Sequence, residues 1–335
     1  QLHEAECFLS DEYRQTDGYP RRQIPEGKID KDTNVLIVGL GMIGGSYAKG
    51  LAKQGILANA IDIDEDTIRY ANEHHIINQG STTADSKMIG AADVIISGLY
   101  PSTFLQWMRE KQWFFKSGAI ITDVTGVKSC IVRQIQDFLR EDCEFIAAHP
   151  MAGCERLGIA HSDETIFYQA NYVMVPTEKN TENAKELCRQ IGDLLGFSRI
   201  SEVSPEEHDE LIGFVSQLTH CIAMCLMTCN HNEKLEDYTG DSFRDLTRIA
   251  RIDDRMWSEL FLLNKDALLH QMKLFTIEVS KLERMLMEGD AEGIRDMMRK
   301  STARRKLFDK EKPESAGEAP HTEEAQTADA EKVQK

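Results

Sequence analysis

The hydrophobic pattern of the chain changes character near residue 203. Before this point, short apolar runs without polar alternation recur between longer segments, as expected for parallel strands that are covered on both faces. The predicted strands, all in one sheet, are 35–38, 58–63, 94–98, 119–123, 144–148, 172–176 and 198–203. After residue 203 these strands give way to long helical periods. The pattern therefore predicts an α/β domain followed by an all-α domain.

A glycine-rich turn follows the first predicted strand and opens a helix that we predict to run through residue 52. Gly39, Gly41 and Gly44 give the pattern G-x-G-x-x-G. The first glycine allows the tight turn, the second lets the backbone approach a pyrophosphate, and the third lets helix and strand pack closely. The N–H groups at the helix start then face the phosphates. Such a turn also occurs where only packing requires it, so a nucleotide-free α/β domain is the alternative.

An acidic residue stands near the end of the second predicted strand. Asp62 lies about twenty residues beyond the glycine turn, where dinucleotide-binding units place an acid on the ribose hydroxyls. A carboxylate there would repel a 2′-phosphate, so we predict NAD as the cofactor. The predicted cofactor-binding residues are Gly39, Gly41, Met42, Ile43, Gly44, Asp62 and Pro101.

The helical part begins at a strong N-terminal signal. Ser204 is the predicted N-cap, Pro205 is the first helical residue, and Glu207 completes a capping box. Two apolar series with coiled-coil spacing follow, namely Leu211, Val215, Leu218, Ile222, Cys225 and Cys229, and later Leu268, Met272, Phe275, Val279, Leu282 and Leu286. Both series need partners, so we predict a homodimer through these helices, with a monomeric bundle as the alternative.

Composition and charge exclude several classes of function. A net charge of −17 over 335 residues argues against sequence-independent binding to nucleic acid or anionic lipid, because either needs a basic face. We find no stretch long and apolar enough to span a bilayer and no signal-peptide core, which predicts the cytoplasm. The eight cysteines form no C-x-x-C pair, so we predict reduced thiols and no metal site. Cys221, Cys225 and Cys229 are predicted to be buried small hydrophobic residues.

Ligands of open α/β sheets bind beyond the carboxyl ends of the strands, which makes three segments candidates for chemistry. These segments are 98–101, 123–128 and 149–153. The last begins with His149 and Pro150, which would hold a histidine rigidly beside a nicotinamide ring. Histidine is also the usual proton acceptor near neutral pH. The alternative is that His149 only forms hydrogen bonds at a strand end.

Five motifs, in this order and spacing, closely resemble the prephenate dehydrogenase family, including its arogenate-using members. They are GLGMIGGS, DVTGVK, AAHPMAGCE, VSQLTH and FRDLTRIARIDDRMW. The resemblance covers residues 34–308 and implies NAD-dependent oxidative decarboxylation of prephenate to 4-hydroxyphenylpyruvate, in tyrosine biosynthesis. We therefore predict a Rossmann-type, doubly wound, mostly parallel sheet followed by an all-α dimerisation domain. The predicted domains are a polar extension (1–33), a dinucleotide-binding domain (34–203), a helical substrate and dimerisation domain (204–308) and a disordered acidic tail (309–335).

The resemblance also implies roles for individual residues. His149 matches the histidine that accepts the hydroxyl proton. His220 matches a histidine that lines the pocket, and we count it with His149 and Thr125 among the predicted catalytic residues. Arg248 matches the substrate-binding arginine, and Glu155 and Trp257 match positions near the substrate. Arg244, Arg248, Arg251 and Arg255 would share one face of an uninterrupted helix, or Asp253 and Asp254 would instead cap a new helix before Trp257.

Two departures from the family pattern affect the site. Many members carry a serine at the position of Gly126, which would line the substrate site here, and Thr125 is our candidate for supplying the catalytic hydroxyl instead. The family often has a histidine where Gln217 stands, which leaves prephenate and arogenate both open as substrates. Two further hypotheses for the function are a β-hydroxyacid-type dehydrogenase with a catalytic lysine on the second domain, and a non-catalytic NAD-binding dimer.

Overall fold

The structure is a computed structural model, and it describes residues 28–153 and 156–308. The acidic tail and all but the last residues of the polar extension lie outside this range. A six-stranded parallel sheet with the order β3-β2-β1-β4-β5-β6 forms the first layer. Its strands are β1 (Val35–Val38), β2 (Asn59–Ile61), β3 (Gly80–Ser81), β4 (Val94–Ser97), β5 (Ile120–Asp123) and β6 (Glu144–Phe145). This order is that of dinucleotide-binding α/β folds, with a topological switch between β1 and β4.

Helices cover both faces of this sheet. They are α1 (Met42–Lys53), α2 (Glu65–Glu73), α3 (Ser86–Ala91), α4 (Pro101–Lys111), α5 (Ser129–Phe138) and α6 (Glu182–Leu194). Within β1, Ile37 packs into one apolar cluster while Leu36 and Val38 pack into the other. The uniformly apolar strand is thus buried on both faces, and the predicted doubly wound α/β fold is confirmed. Ile29, at the end of the predicted polar extension, is also buried in the first cluster.

A second, three-stranded sheet contains β7 (Ala147–Pro150), β8 (Asn171–Val175) and β9 (Arg199–Glu202). The prediction that the last strands extend the main sheet was wrong. β7 pairs antiparallel with β8, and β8 pairs parallel with β9. The chain leaves the main sheet at Ile146, whose N–H still donates to the Ile121 carbonyl at 3.0 Å. The next residues form β7, which pairs with β8 instead of with the main sheet. His149 consequently lies within β7, opposite Val173, and does not follow a strand end.

The helical part opens with one long helix, α7 (Pro205–Thr228). Its predicted start is confirmed, because Ser204 is the N-cap and its hydroxyl accepts from the Glu207 N–H at 3.2 Å. By length and composition α7 is apolar enough to cross a membrane, so the prediction that no stretch reaches this limit was wrong. Near its N-terminus, however, the buried Asp209 carboxylate accepts backbone hydrogen bonds from the start of α5. These contacts are typical of a helix packed within a folded protein.

A π-helical turn at Gly213–Leu218 changes the face that α7 buries. The buried residues His208, Ile212, Gln217 and Cys221 are separated by four, five and four residues. The step of five reflects the extra residue in the π turn. Leu211 and Val215 are about half exposed in the single chain, at 48% and 50%, while Leu218 is buried, so the π turn interrupts the predicted regular series. Cys225 and Cys229 are also exposed in the single chain, contrary to the prediction that they are buried.

Four further α-helices follow in the described chain, and they are α8 (Asp241–Thr247), α9 (Asp254–Leu263), α10 (Lys265–Glu288) and α11 (Ala291–Arg305). The described chain divides into two compact units, which meet between Lys273 and Leu274 in the sequence. The first unit contains α9 because this helix packs on the sheet region, where Glu259 accepts from the Ser102 N–H at 2.6 Å. The domain boundary after residue 203 rests on a change of sequence pattern and stays a prediction.

Candidate active site

The glycine turn between β1 and α1 has the geometry of a phosphate cradle. Gly39 has a φ of +91°, and a Cβ atom there would lie 3.1 Å from the carbonyl carbon of Gly98, in the loop after β4. A Cβ atom at Gly44 would lie 1.9 Å from the Gly39 oxygen. At Gly41, by contrast, a Cβ atom would meet nothing within 4 Å in the described part of the chain. The second glycine therefore faces open space at the start of α1, where a pyrophosphate fits.

Asp62 is fixed beside this turn. Its carboxylate accepts from the Leu40 N–H at 2.7 Å and from the Asp64 N–H at 3.0 Å. Each carboxylate oxygen has two lone pairs, so the group retains acceptor capacity for two ribose hydroxyls. The open side of the glycine turn and this anchored acid together fit the adenosine half of NAD.

A buried ion pair holds the backbone immediately before His149. The Lys128 ammonium and the Asp123 carboxylate are 2.7 Å apart, and both side chains are fully buried. Lys128 also donates to the Ala148 carbonyl at 2.6 Å, and Asp123 accepts from the Ala148 N–H at 3.2 Å. Both backbone groups of Ala148 are thereby fixed to the end of β5. This arrangement sets the position from which His149 projects.

The ring of His149 contacts a second histidine. Its Nδ1 atom lies 2.9 Å from Nε2 of His208, and Nδ1 of His208 lies 2.8 Å from Oδ1 of Asp209. The same carboxylate accepts from the backbone N–H groups of Lys128 and Ser129, each at 2.8 Å. Because Ser129 begins α5, Asp209 caps that helix from α7. Three side chains thus form a continuous hydrogen-bonded chain that ends on a fixed carboxylate.

Burial and neighbouring charge keep the two imidazoles of this hydrogen-bonded chain uncharged. Burial, the adjacent His208 and the Lys128 ammonium hold the pKa of His149 well below the usual 6.5. Burial also lowers the pKa of His208, although its hydrogen bond to Asp209 opposes this effect. Burial raises the pKa of Asp209, but hydrogen bonds from His208 and the Ser129 N–H outweigh it, so the net direction is downward. Near neutral pH the imidazole of His149 is therefore uncharged, and His208 connects it to the ionised carboxylate of Asp209.

Known proteins resemble this chain over most of its length. Family models for the prephenate dehydrogenase nucleotide-binding domain and the prephenate dehydrogenase dimerization domain match residues 47–196 and 204–300. Prephenate dehydrogenase of Bacillus subtilis is 31% identical over 272 residues, which span 79% of this chain and 72% of that protein. The enzyme of Lactococcus lactis is 30% identical over 268 residues, covering 78% and 73% of the two chains. The chain belongs to the prephenate dehydrogenase family.

A solved member of the prephenate dehydrogenase family shares the fold. The structure of prephenate dehydrogenase from A. aeolicus in complex with hydroxyphenyl propionate and NAD+ superposes with a TM-score of 0.77 at 27% identity. The match covers 84% of this chain and 100% of that one. The NAD+ bound in this relative and the match to a nucleotide-binding domain confirm the prediction that NAD is the cofactor.

The structure brings together two of the predicted substrate-site residues, His220 and Trp257. Their rings stack with centroids 3.7 Å apart and an angle of 30° between the planes. His220, in α7, also places its Nδ1 atom 2.9 Å from the Ser216 carbonyl oxygen, and Trp257 packs against Phe261 within α9. The two rings thus form an aromatic contact between α7 and α9. The roles assigned to these residues stay predictions.

The arginine segment does not form one continuous helix. Arg248 is exposed and begins a short 3₁₀ turn between α8 and α9. Asp253 caps α9 through a 2.7 Å hydrogen bond from the Met256 N–H, as the second interpretation of this segment predicted. The shared face that would include Arg255 is therefore absent from the described chain, and Arg244 is bound to Asp241 at 2.7 Å. Glu155 lies outside the described residues.

The two site residues predicted in the loop after β5, Thr125 and Gly126, have different surroundings. A Cβ atom at Gly126 would lie 3.9 Å from Cε1 of His149, so this glycine borders the ring. Thr125 is buried, and its hydroxyl contacts the Asp123 carboxylate and, at 3.0 Å, the Val127 carbonyl. This geometry gives the Thr125 hydroxyl internal partners, and its catalytic role stays a prediction.

Sequence reasoning missed four residues that organise the site, and they are Asp123, Lys128, His208 and Asp209. The first two stood within the DVTGVK motif as a charged pair five residues apart, flanking a turn. The other two are adjacent residues early in a predicted helix, where a solvent-facing position is the usual expectation. Only the packing of α7 against α5 reveals that they are buried.

Proposed function

We propose that the protein catalyses the oxidative decarboxylation of prephenate to 4-hydroxyphenylpyruvate, with hydride transfer to NAD, in tyrosine biosynthesis. The observation that carries this proposal is the neutral, rigidly held His149 beside a dinucleotide cradle in a chain of the prephenate dehydrogenase family. A direct link joins the two parts, because Cε of Met42, in the first turn of α1, lies 4.0 Å from the Cβ position of Gly153. The segment that carries His149 thus borders the cofactor site.

The chemistry divides between cofactor and protein. When bound, NAD accepts the hydride from the ring carbon that bears the hydroxyl group. We assign to His149 the acceptance of the hydroxyl proton as the carbonyl forms. Loss of the ring carboxylate as carbon dioxide then restores aromaticity, and the proton returns from His149 to the ring oxygen, which becomes the phenol. The lowered pKa of His149 suits this role, since the imidazole is unprotonated before each turnover.

The substrate needs positive charge and an apolar wall. Prephenate carries two carboxylates, and in a chain with a net charge of −17 we assign one of them to Arg248. We assign the stacked rings of His220 and Trp257 to the wall beside the substrate, and Gly126 to the space next to the His149 ring. Glu155 remains a prediction for the same pocket.

Arogenate is the second candidate substrate, and one observation favours keeping it. Gln217 is buried, and its amide donates to the Leu260 carbonyl at 3.1 Å while its oxygen accepts from Asn264 at 2.8 Å. The side chain of Gln217 is therefore held by internal hydrogen bonds. It does not supply the selectivity for the pyruvyl side chain that a histidine at this position would provide. A cyclohexadienyl dehydrogenase of Zymomonas mobilis is also 24% identical over 276 residues.

The test is NADH or NADPH formation by the purified protein with prephenate and with arogenate, each supplied with NAD or NADP. The proposal expects the highest kcat/KM for prephenate with NAD. A preference for arogenate would transfer the function to the second candidate. Intact NAD binding without turnover of either substrate would support a non-catalytic NAD-binding protein instead.

We further propose a homodimer through the C-terminal helices. The dimerization-domain model covers residues 204–300, and α10 leaves several large apolar side chains exposed in the single chain, among them Phe275, Val279 and Leu286. Sedimentation equilibrium at micromolar concentration should give twice the chain mass, and a monomer would contradict the proposal. We also propose a cytoplasmic location, where unpaired thiols such as those of Cys225 and Cys229 persist, which cell fractionation tests.

A further inference from the structure

His208 and Asp209 lie behind the proposed base and are not explained by cofactor or substrate binding. Asp209 accepts hydrogen bonds from two backbone N–H groups, those of Lys128 and Ser129, which can only donate. Its carboxylate is therefore an acceptor on every contact, and the Nδ1 atom of His208 must carry the proton that it shares with Asp209. A neutral imidazole has one N–H, so Nε2 of His208 is left with a bare lone pair.

The contact with His208 also fixes the position of the proton on His149. Nε2 of His208 is an acceptor, so the 2.9 Å contact requires a proton on Nδ1 of His149. Nε2 of His149 is then unprotonated, which is the state that a general base needs on the side away from His208. A histidine that is not held in this way can carry its single proton on either nitrogen.

The other charged groups around the pair do not change this assignment. The Lys128 ammonium directs its hydrogen bonds to the Asp123 carboxylate, the Ala148 carbonyl and the Thr125 hydroxyl. With three donors and three partners, it has no further N–H for the imidazoles. His208 is thus the group that determines where the proton of His149 resides.

We propose that His208 is a positioning residue that holds His149 in the tautomer with a bare Nε2 atom, and that Asp209 in turn fixes the tautomer of His208. The inference rests on the proposed function only in naming Nε2 as the atom that takes the substrate proton. The arrangement is comparable in its logic to the acid that orients a catalytic histidine in serine proteases, although a second imidazole stands between acid and base here.

The direct test is nitrogen-15 NMR of the wild-type protein with labelled histidine, above the pH range in which imidazoles protonate. The inference expects His149 to show a protonated Nδ1 and an unprotonated Nε2. The opposite tautomer would overturn it. This readout needs no turnover, so a wild-type protein with the expected tautomer but no dehydrogenase activity would contradict the proposed function and leave this inference standing.

Two substitutions at one position separate tautomer control from simple packing. In His208→Gln the amide can donate to Asp209 and accept from His149, which keeps the polarity of the chain, whereas His208→Leu removes both hydrogen bonds. For His208→Leu we expect kcat to fall on the order of 10²-fold with unchanged affinity for NAD, since a misplaced proton disables the base. For His208→Gln we expect kcat within about tenfold of the wild type.

The two variants also carry NMR signatures. His208→Gln should retain the bare Nε2 of His149, and His208→Leu should show protonation at Nε2. Equal kcat values for the two variants would overturn the inference, as would a wild-type tautomer in His208→Leu. Asp209 is left unchanged in this experiment because it also caps α5, so that its replacement would alter the fold as well as the tautomer.

Discussion

The Nζ atom of Lys128 lies 2.6 Å from the carbonyl oxygen of Ala148, the residue immediately before His149. The same ammonium neutralises Asp123, which accepts from the Ala148 N–H. One ion pair therefore fixes both backbone groups that precede the proposed base. A base held in this way does not need to be ordered at the moment of reaction, which is a general source of catalytic efficiency.

Replacing Lys128 by Met should destabilise the protein strongly. The substitution leaves the Asp123 carboxylate buried without its partner, which typically costs about 3–5 kcal/mol. Urea unfolding of the purified variant measures this loss. The double variant Asp123→Asn with Lys128→Met should recover part of it, because no buried charge is then left unpaired.

The matched control for this prediction is Lys281→Met. Lys281 pairs with Glu278 on an exposed face of α10, where both side chains are about half exposed, at 50% and 55%. Its loss should leave the unfolding free energy unchanged within error. A Lys128→Met protein as stable as this control would show that the buried pair does not support the site.

Gly41→Ala should separate cofactor binding from folding. A Cβ atom at this position meets nothing within 4 Å among the described residues, so thermal stability should equal that of the wild type. The same Cβ would obstruct a pyrophosphate approaching the start of α1, and we expect affinity for NAD to fall by about tenfold or more, which corresponds to about 1.4 kcal/mol. Titration calorimetry with NAD measures the change. Unaltered affinity would mean that the pyrophosphate lies elsewhere.

Arg248→Ala should raise KM for prephenate by about tenfold or more, because a substrate carboxylate loses its charged partner. Arg244→Ala is the matched control. Its guanidinium already bonds to Asp241 at 2.7 Å and to the Thr239 carbonyl at 2.9 Å, and we expect KM to stay at the wild-type value. Steady-state kinetics of the two variants should therefore differ in KM. If Arg244→Ala alone raised KM, the carboxylate anchor would be reassigned to Arg244.

The paired imidazoles predict a specific dependence of stability on pH. The folded-state pKa values of His149 and His208 lie below the usual 6.5, so between those values and 6.5 the unfolded chain binds more protons than the folded one. The unfolding free energy should accordingly fall as the pH drops below 6.5. The charged groups that face the pair are Asp209, Asp123 and Lys128, and the pKa of Asp209 lies below its usual value because His208 and the Ser129 N–H donate to its carboxylate.

Urea unfolding across this pH window checks the sign. The loss of stability on acidification should be smaller in His208→Gln, which has one imidazole fewer to protonate. A wild-type protein that gains stability on acidification through this range would contradict the assignment of two neutral imidazoles. The same depressed pKa predicts that the acid limb of kcat/KM lies below 6.5.

Local sequence signals predicted much of the fold because each needs only its neighbours along the chain. The glycine turn, the apolar strand β1 and the Ser204 cap are all short-range features, and the structure has each where the pattern indicated. The separation of β7 from β6 was not predictable in this way. Both strands fall in one apolar run, and the bend at Ile146 depends on pairing with β8, about 25 residues later along the chain.

The candidate site was predicted only in part, for a similar reason. His149 stood out because of its chemistry and its motif, while His208 and Asp209 resembled an ordinary polar helix start. The π turn in α7 also shifts the buried face by one residue, so Leu211 and Val215 are exposed in the single chain while Leu218, in the same regular period, is buried. Tertiary burial of polar groups leaves little trace in a single sequence.

The most direct test of the account compares the wild-type protein with His149→Asn in the presence of prephenate and saturating NAD. The wild type should form NADH, carbon dioxide and 4-hydroxyphenylpyruvate in equal amounts. His149→Asn should bind NAD with unchanged affinity and lose turnover on the order of 10²-fold or more, because the hydroxyl proton has no acceptor. Near-normal turnover by His149→Asn would contradict the central claim that this histidine is the base.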